Sequence, residues 1–219
     1  MPVTRPRLWQ EEHVLAAAMD LFHAKGFEAT SLRDVERATG LHTGSLYQAY
    51  GSKAGVFEAV LAAYNERVVA ARIERHLASA PDAVSGLVAF FASTYEDRPV
   101  PDPGCLVTNS AIEAPHLSDA ARGVVAAGLA AIRRAFVEVL ERSDARGADH
   151  GRIEELADQL LALYQGLLVL VRFGQPRETL ARVTAAVEAL AAGTTDPSAP
   201  RRRRPRSASP PPPPKEQPT

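Results

Sequence analysis

Apolar residues recur at helical spacing along the chain from about residue 9 to residue 193. In the first such stretch, roughly 10–25, Val14, Ala18, Leu21 and Phe22 fall on one stripe, and Gly26 follows where a helix would end. Alanine is frequent and runs of β-branched residues are rare, a mixture that favours helix over strand. The pattern therefore predicts an all-α protein of about nine helices. The other eight are expected near residues 31–39, 42–49, from 52 onward, 82–96, 105–113, 118–143, 153–173 and 177–192.

The second and third predicted helices are short and are joined through Gly40, which is the outline of a helix-turn-helix. Ser31 and Asp34 have the spacing of a capping box at the start of the second helix. The third helix lies within "GLHTGSLYQAYGSK", residues 40–53, and Leu41 and Leu46 are expected to pack it against the first two. Its outward side is then small and polar: His42, Thr43, Gly44, Ser45, Tyr47 and Gln48.

A short helix with such an exterior suits the major groove of DNA, where side chains meet base edges and phosphates. Gly44 has no side chain, so a neighbouring surface can approach the backbone closely. Ser52 and Lys53 open the fourth helix, and the free N–H groups of a helix start beside an ammonium group form a site for a phosphate. These residues predict a DNA-binding surface centred on the third helix.

The stretch "TSLRDVERATGLHTGSLYQAYGSKAGVFEAVL", preceded by "AAAMDLFHAKGFEATSL", resembles the DNA-binding domain of the TetR/AcrR family of transcriptional regulators over about residues 10–64. The resemblance implies that the third helix is the recognition helix. It also implies a homodimer that usually represses transcription, and release from the operator when a small molecule binds in the C-terminal domain.

Carried over by position, the resemblance implies roles for nine residues. Phosphate contacts are expected from Thr30 or Ser31 at the start of the second helix, from Tyr47, and from Lys53. The base-facing start of the recognition helix is expected to hold His42, Thr43, Gly44 and Ser45, with Gln48 one turn further on.

The chain departs from the commonest family pattern after Tyr47, where "QAYG" replaces a second aromatic or histidine followed by Phe and Pro. Tyr50 is expected to take the packing role of that Phe. The alternative for the whole set is structural: Tyr47 and Tyr50 would only pack, and Thr30 and Ser52 would only cap helices.

Helices eight and nine are apolar on more than one face, so more protein must cover them. In the family that the chain resembles, the corresponding pair forms a four-helix bundle with its twofold mate. We therefore expect a homodimer through about 153–173 and 177–192. The alternative is a monomer in which both helices belong to the core.

An effector pocket is a further expectation for the C-terminal domain. Aromatic side chains that could line it are Phe90, Phe91, Tyr95, Tyr164 and Phe173, with Asn109 as a polar group. Aromatic residues at helical spacing are also ordinary core residues, which is the competing interpretation.

Cys105 follows Pro103 and Gly104 at the start of the sixth predicted helix, where free N–H groups and the helix dipole favour a thiolate. "PGCLVTNSAIEAPHL" resembles a TetR subgroup in which some members sense electrophiles or oxidants through a cysteine at this place. One interpretation is therefore a sensing thiol. The other is a small buried hydrophobe.

The net charge of −1 is unevenly distributed. From Thr194 onward, six basic residues stand against two acidic ones, so the remaining body is mildly acidic and DNA binding must depend on a local surface. The tail is rich in Pro and Arg and is expected to be disordered, with "RRRRPR" adding non-specific attraction to phosphates. The predicted organisation is a DNA-binding domain at 7–66 (helix-turn-helix about 30–49), an effector and dimerisation domain at 67–193, and this tail at 194–219.

The start of the chain has no apolar segment typical of a secretory signal, and one cysteine excludes a disulfide framework, so we expect a cytoplasmic protein. The most apolar run, 160–171, is too short to span a bilayer and is expected in a buried helix. The sequence shows no metal-ligand spacing, nucleophile elbow or dinucleotide loop, so no metal, cofactor or enzyme activity is expected. An all-helical ligand-binding protein or enzyme without a role in DNA regulation is the rival class.

Overall fold

The computed structural model describes residues 5–96, 98–143 and 150–195, with side chains described over 11–96, 98–142 and 150–191. Within these ranges the chain forms nine helices and no strand, which confirms the all-α prediction. Eight of them are α1 (Arg5–Lys25), α2 (Leu32–Thr39), α3 (Thr43–Tyr50), α5 (Ala83–Ala92), α6 (Leu106–Ile112), α7 (Asp119–Ser143), α8 (His150–Phe173) and α9 (Arg177–Thr195). The fourth helix along the chain, α4, spans residues 53–78.

The helix α4 is longer than one regular element. It begins as an α-helix, Lys53–Tyr64, and continues through a π-helical turn (Asn65–Val69), an α-helical turn (Ala70–Ile73) and a second π-helical turn (Glu74–Ala78). Asn65 Nδ2 donates to the Val124 carbonyl of α7 at 2.9 Å. The predicted boundary between residues 66 and 67 thus lies inside α4, which is shared by the two parts of the chain.

The first four helices pack around an aromatic cluster. The ring of Phe57 on α4 lies 4.8 Å from that of Phe22 on α1 and 4.9 Å from that of Phe27 in the following turn. Val35 fixes α2 to this core and Leu46 fixes α3, and both side chains are fully buried. Because Leu46 is the buried residue of α3, the rest of that short helix is left to face outward.

Local signals place the turns of the helix-turn-helix. The predicted capping box is present: Ser31 Oγ accepts from the Asp34 N–H at 3.2 Å, and Asp34 Oδ2 accepts from the Ser31 N–H at 3.0 Å. Gly40 ends α2 in the left-handed region, with φ 71°. Ser52 caps α4 by accepting from the Gly55 N–H at 3.0 Å.

The larger helical part is organised around α7 and α8, which pack on one another, while α5 packs on α9. Four aromatic side chains meet where α5, α7 and α8 converge: Phe90, Phe91, Phe136 and Tyr164. All four are fully buried, so this cluster is the centre of the core.

The helix α8 contains the apolar run noted above but is longer than that run. By length and apolar composition alone its 24 residues could cross a membrane, and it is the one such helix in the described ranges. Leu156, Leu160, Leu167 and Val171 are buried against the other helices. The expectation that this run lies in a core helix is therefore met.

The predicted tail falls almost wholly outside the described residues. Its first two residues, 194 and 195, belong to the end of α9. The Arg-rich segment and the expectation of disorder concern residues beyond this point.

Candidate nucleic-acid interface and effector cavity

The helix α3 presents a polar face to the surface. Leu46 is 1% exposed, whereas Tyr47, the next residue, is 54% exposed. His42, Gly44, Ser45 and Gln48 are exposed as well, as predicted from the positions of the two leucines. A large aromatic residue on this surface has its ring and hydroxyl free to meet a partner.

The carboxylate of Glu36 on α2 holds the beginning of α3. Thr43 Oγ1 donates to Glu36 Oε2 at 2.6 Å, and His42 Nδ1 lies 3.4 Å from Glu36 Oε1. The hydrogen bond from Thr43 and, after it, the contact with His42 lower the pKa of Glu36 below its ordinary value. Sequence reasoning did not find this residue, because only the fold brings positions 36 and 43 together.

The start of α2 offers one of its two candidate phosphate contacts to the surface. Thr30 is 1% exposed, and its hydroxyl donates to the Gly26 carbonyl at 2.6 Å, where it closes the end of α1. Ser31 is exposed. Its hydroxyl donates to Asp34 Oδ2 at 2.7 Å, so a phosphate contact by Ser31 requires that this proton turns away from Asp34.

Lys53 is anchored within the fold. Its Nζ donates to the carbonyls of Phe27 at 3.0 Å and Thr30 at 2.9 Å, and it lies 4.2 Å from the centroid of the Phe27 ring. An ammonium group has three donors, so one remains for a phosphate. The residue therefore ties the start of α4 to the turn between α1 and α2, a role that its position in the sequence did not reveal.

Further basic side chains lie on α2 and at the end of α1. Arg33 and Arg37 are exposed on α2, and Lys25 is exposed at the end of α1. Lys25 and Arg37 both lie within 4 Å of the Asp34 carboxylate, and the pKa of Asp34 is lowered to about 2, chiefly by its hydrogen bonds from Ser31. These cations supply local positive charge that the acidic body lacks, and the sequence analysis did not single them out.

Two protein-family models match the chain. "Bacterial regulatory proteins, tetR family" covers residues 14–60, and "Tetracyclin repressor-like, C-terminal domain" covers residues 80–187. The HTH-type transcriptional repressor ComR of Escherichia coli is 31% identical over 199 residues, which are 87% of this chain and 89% of ComR. The chain belongs to the TetR family. It is a DNA-binding transcriptional regulator of the helix-turn-helix type, and the family consists of regulators and not enzymes, which confirms both expectations.

Other relatives and solved structures agree with this assignment. The repressor DhaR of Mycobacterium sp. is 28% identical over 84% of this chain and 93% of its own length. A TetR-family regulator from Cytophaga hutchinsonii shares the fold with a TM-score of 0.74 at 22% identity, over 88% of this chain and 98% of that one. A cysteine-substituted CifR in complex with 26-bp operator DNA has a TM-score of 0.66 at 30% identity, over 83% and 94% of the two chains.

A small cavity lies beside the aromatic core of this TetR-family protein. Its volume is about 10 Å³, room for about one water molecule, and its lining is mainly apolar. Residues from α4, α5, α7 and α8 and from the start of α6 form its wall: Tyr64, Val68, Val69, Arg72, Phe90, Cys105, Ile132 and Tyr164.

The structure separates the predicted pocket residues into two groups. Phe90, Cys105 and Tyr164 line the cavity, whereas Phe91 and Tyr95 are buried in the adjoining core. Asn109 donates instead to the Pro103 carbonyl at 2.8 Å.

Phe173 lies on the surface, 78% exposed, and is not brought to the cavity. Helical periodicity selected it because α8 is apolar nearly all round, so the sequence could not tell its inner face from its outer one.

Arg72 is the polar feature of the cavity that sequence reasoning missed. Its Nη1 donates to the Tyr164 hydroxyl at 2.8 Å, and among the described residues no ion pair links it to a carboxylate. Burial raises the pKa of Tyr164 to about 12, and burial, then Cys105, raises that of Tyr64, so both phenols are neutral at physiological pH. The guanidinium group of Arg72 therefore has donors without a partner among the described residues and lies beside two neutral phenols.

Cys105 is 3% exposed and precedes the first residue of α6. It shares the cavity wall with Arg72 and Tyr64. This position is compatible both with a small buried hydrophobe and with a thiol that a reagent reaches through the cavity.

Proposed function

We propose that this chain is a cytoplasmic, homodimeric repressor that binds its operator through α3 and leaves it when an effector widens and occupies the cavity or modifies Cys105. The observation that carries the proposal is the exposed face of α3, where Tyr47 stands beside the buried anchor Leu46. The related ComR and DhaR are named repressors, which supports repression rather than activation. The CifR complex supports an operator duplex as the partner.

The proposed interface assigns two kinds of contact. Tyr47 and the remaining donor of Lys53 contact phosphates and set the position of the domain on the duplex. Ser31 joins them when its hydroxyl proton turns from Asp34 to a phosphate. The first turn of α3 enters the major groove and meets base edges, with His42, Thr43, Gly44, Ser45 and then Gln48. Arg33 and Arg37 add non-specific attraction to the backbone.

The exposed apolar residues of the larger part support dimerisation. Ile112 is 67% exposed and Val169 is 45% exposed, and Phe173 lies on the same helix as Val169. Ile112 and Val169 border an open groove of about 310 Å³ between α6, α7 and α8. Exposed apolar side chains of this size are typical of an interface. In a twofold dimer through α8 and α9 we expect the two recognition helices to lie about 34–36 Å apart, because that is the spacing of successive major-groove turns on one face of DNA.

The dimer is tested by light scattering of the full chain during size-exclusion chromatography. A mass twice the 23.5 kDa of one chain is expected at micromolar concentration. Val169→Glu introduces a charge into the exposed part of α8 and should give a folded monomer. A wild-type mass of one chain would contradict the dimer.

Contacts at both ends of α6 support a route from the cavity to the DNA-binding domain. Before α6, the Gly104 carbonyl is 2.9 Å from His23 Nε2 on α1. After α6, Glu113 Oε2 accepts from the Phe27 N–H at 2.7 Å. A displacement of α6 by a ligand at the cavity therefore acts on the end of α1, and release requires that the ligand prefers the displaced state.

The thiol branch of the proposal is tested with iodoacetamide on the full-length protein bound to a duplex from its own upstream region. Alkylation of Cys105 adds a group that the small cavity has no room for, so wild type should release the duplex. Cys105→Ala should remain bound under the same treatment. Equal release by both proteins would exclude Cys105 as the sensor and leave the non-covalent branch.

A further inference from the structure

We propose that Glu36 sets the base preference of α3 by fixing the hydroxyl proton of Thr43, so that Thr43 selects adenine or cytosine at one operator position. The inference rests on the proposed placement of α3 in the major groove. It specifies which class of base α3 recognises at this position. It also assigns that preference to Glu36, a residue of a different helix, α2.

The hydrogen-bond direction follows from the two groups involved. An ionised carboxylate has acceptors only, and a threonine hydroxyl has a single proton. At 2.6 Å from Glu36 Oε2, Thr43 Oγ1 must therefore be the donor. The pKa of Glu36 lies below its ordinary value, which keeps the carboxylate ionised at neutral pH.

A hydroxyl whose proton is committed can only accept from a ligand. The oxygen of Thr43 keeps two lone pairs, and the residue is partly exposed, so we expect one lone pair to be offered to the groove. In the major groove the donors are the N6 amino group of adenine and the N4 amino group of cytosine, whereas the guanine edge and thymine O4 present acceptors. Guanine or thymine at that position would place an acceptor against an acceptor.

The second oxygen of the Glu36 carboxylate also favours an acceptor at the exposed end of His42. Glu36 Oε1 lies 3.4 Å from His42 Nδ1, which favours a proton on Nδ1. In the neutral ring Nε2 is then an acceptor, on a side chain that is 94% exposed. One carboxylate thus turns the first two side chains at the start of α3 into acceptors.

Glu36 is a positioning residue in this scheme, since it acts through Thr43 and His42. Its replacement by glutamine, Glu36→Gln, should preserve the shape of the contact and change its direction. The amide group introduced by this substitution can donate to Thr43 Oγ1, which frees the hydroxyl proton to point at guanine or at thymine O4. The variant should therefore accept bases that the wild type rejects.

The test is selection of bound duplexes from a randomised pool, followed by sequencing, with the full-length wild type, Glu36→Gln and Thr43→Val. Glu66→Gln is the matched control, because it removes an exposed carboxylate from α4, away from α3. Thermal melting of all four proteins checks that they fold alike.

For wild type and Glu66→Gln we expect one position in each half-site at which adenine or cytosine is enriched over guanine and thymine by about fivefold. This factor is at the lower end of the discrimination that one bidentate side chain–base contact provides. Thr43→Val should reduce that enrichment to below about twofold while other positions keep theirs. Glu36→Gln should admit guanine or thymine at the same position.

Two results would overturn the inference while leaving operator binding intact: Thr43→Val keeps the wild-type preference, or Glu36→Gln and wild type select the same bases at every position. If the folded wild type enriches no sequence at all, operator recognition fails and the inference fails with it. The same experiment therefore distinguishes failure of the base-selection inference from failure of the proposed operator recognition.

Discussion

The backbone N–H of Phe27 donates a 2.7 Å hydrogen bond to the side chain of Glu113, which lies 86 positions further along the chain. Phe27 follows α1 and Glu113 follows α6, so the bond joins the DNA-binding part to the helix beside the cavity. The carbonyl of Phe27 accepts from Lys53 at the start of α4. The two backbone groups of Phe27 are thus held by the residue that follows α6 and by the first residue of α4, which makes this turn a junction between the two parts.

Close packing at this junction predicts a cost for any side chain at position 26. Gly26 has φ 82°, and a Cβ atom there would lie 2.5 Å from Glu113 Oε1. We expect Gly26→Ala to lower the free energy of unfolding by about 1–2 kcal/mol or more, because alanine is strained in the left-handed region and displaces the carboxylate. Urea denaturation measures the change.

Gly123→Ala is the control for that substitution, since Gly123 lies within α7 and a Cβ there would meet no described atom within 4 Å. It should raise stability by about 0.5–1 kcal/mol. Equal effects of the two substitutions would contradict the account of the junction.

Gly44→Ala, in contrast to Gly26→Ala, should preserve stability and weaken operator binding. A Cβ at this position would meet no described atom within 4 Å, so Gly44→Ala should fold as well as wild type or be more stable by about 0.5–1 kcal/mol. The added methyl group would nevertheless hinder the approach of a duplex to the α3 backbone, and operator affinity should fall. Thermal melting measures the effect on stability, and fluorescence anisotropy with a labelled duplex measures the effect on operator affinity. Unchanged affinity would show that the duplex does not approach the α3 backbone closely at Gly44.

Tyr47 offers a test of the phosphate contact. Since the side chain is 54% exposed, Tyr47→Ala should leave the fold intact while operator binding weakens by about 1–3 kcal/mol. Tyr50, on the same helix but half-buried against the core, is the matched site: Tyr50→Ala should reduce stability before it affects binding. A gel-shift titration in which folded Tyr47→Ala binds as tightly as wild type would rule out the contact.

His23 predicts a pH dependence of stability. Burial is the main cause that lowers its pKa below the ordinary 6.5, while the hydrogen bond with Gly104 opposes the shift. Below that value the unfolded chain takes up a proton that the folded chain resists, so stability is complete above pH 6.5 and falls as the pH drops toward the lowered pKa.

His23→Gln keeps a donor for the Gly104 carbonyl but does not titrate. Urea denaturation at about pH 7.5 and about pH 5.5 should show a smaller loss for this variant than for wild type. His76, whose pKa is also lowered by burial, contributes equally to both proteins and cancels in the comparison. Identical losses would show that His23 does not carry this dependence.

The helices were predictable because each has a local cause. Apolar periodicity located α1 and α7, the Ser31–Asp34 capping box located α2, and Gly40 its end. The exposed face of α3 followed from its two leucines. Such signals depend only on neighbours along the chain, which the sequence displays directly.

The roles that depend on distant contacts were not predictable. Lys53 was assigned to phosphate alone, yet it also binds two carbonyls of the α1–α2 turn. Glu36 and Arg72 were not selected, because the first acts across the helix-turn-helix and the second reaches Tyr164 on α8. Phe173 was placed in a pocket because its helix is apolar on several faces, and only the packed fold distinguishes them.

Recognition of operator DNA by α3 in a twofold arrangement can be examined by a nuclease footprint of the full-length protein on its own upstream region. We expect one protected region with two related half-sites whose centres are about one helical turn apart, and loss of protection with Tyr47→Ala. Absence of protection by folded wild-type dimer on every upstream duplex at low salt, or the same footprint from Tyr47→Ala and Gly44→Ala as from wild type, would contradict it.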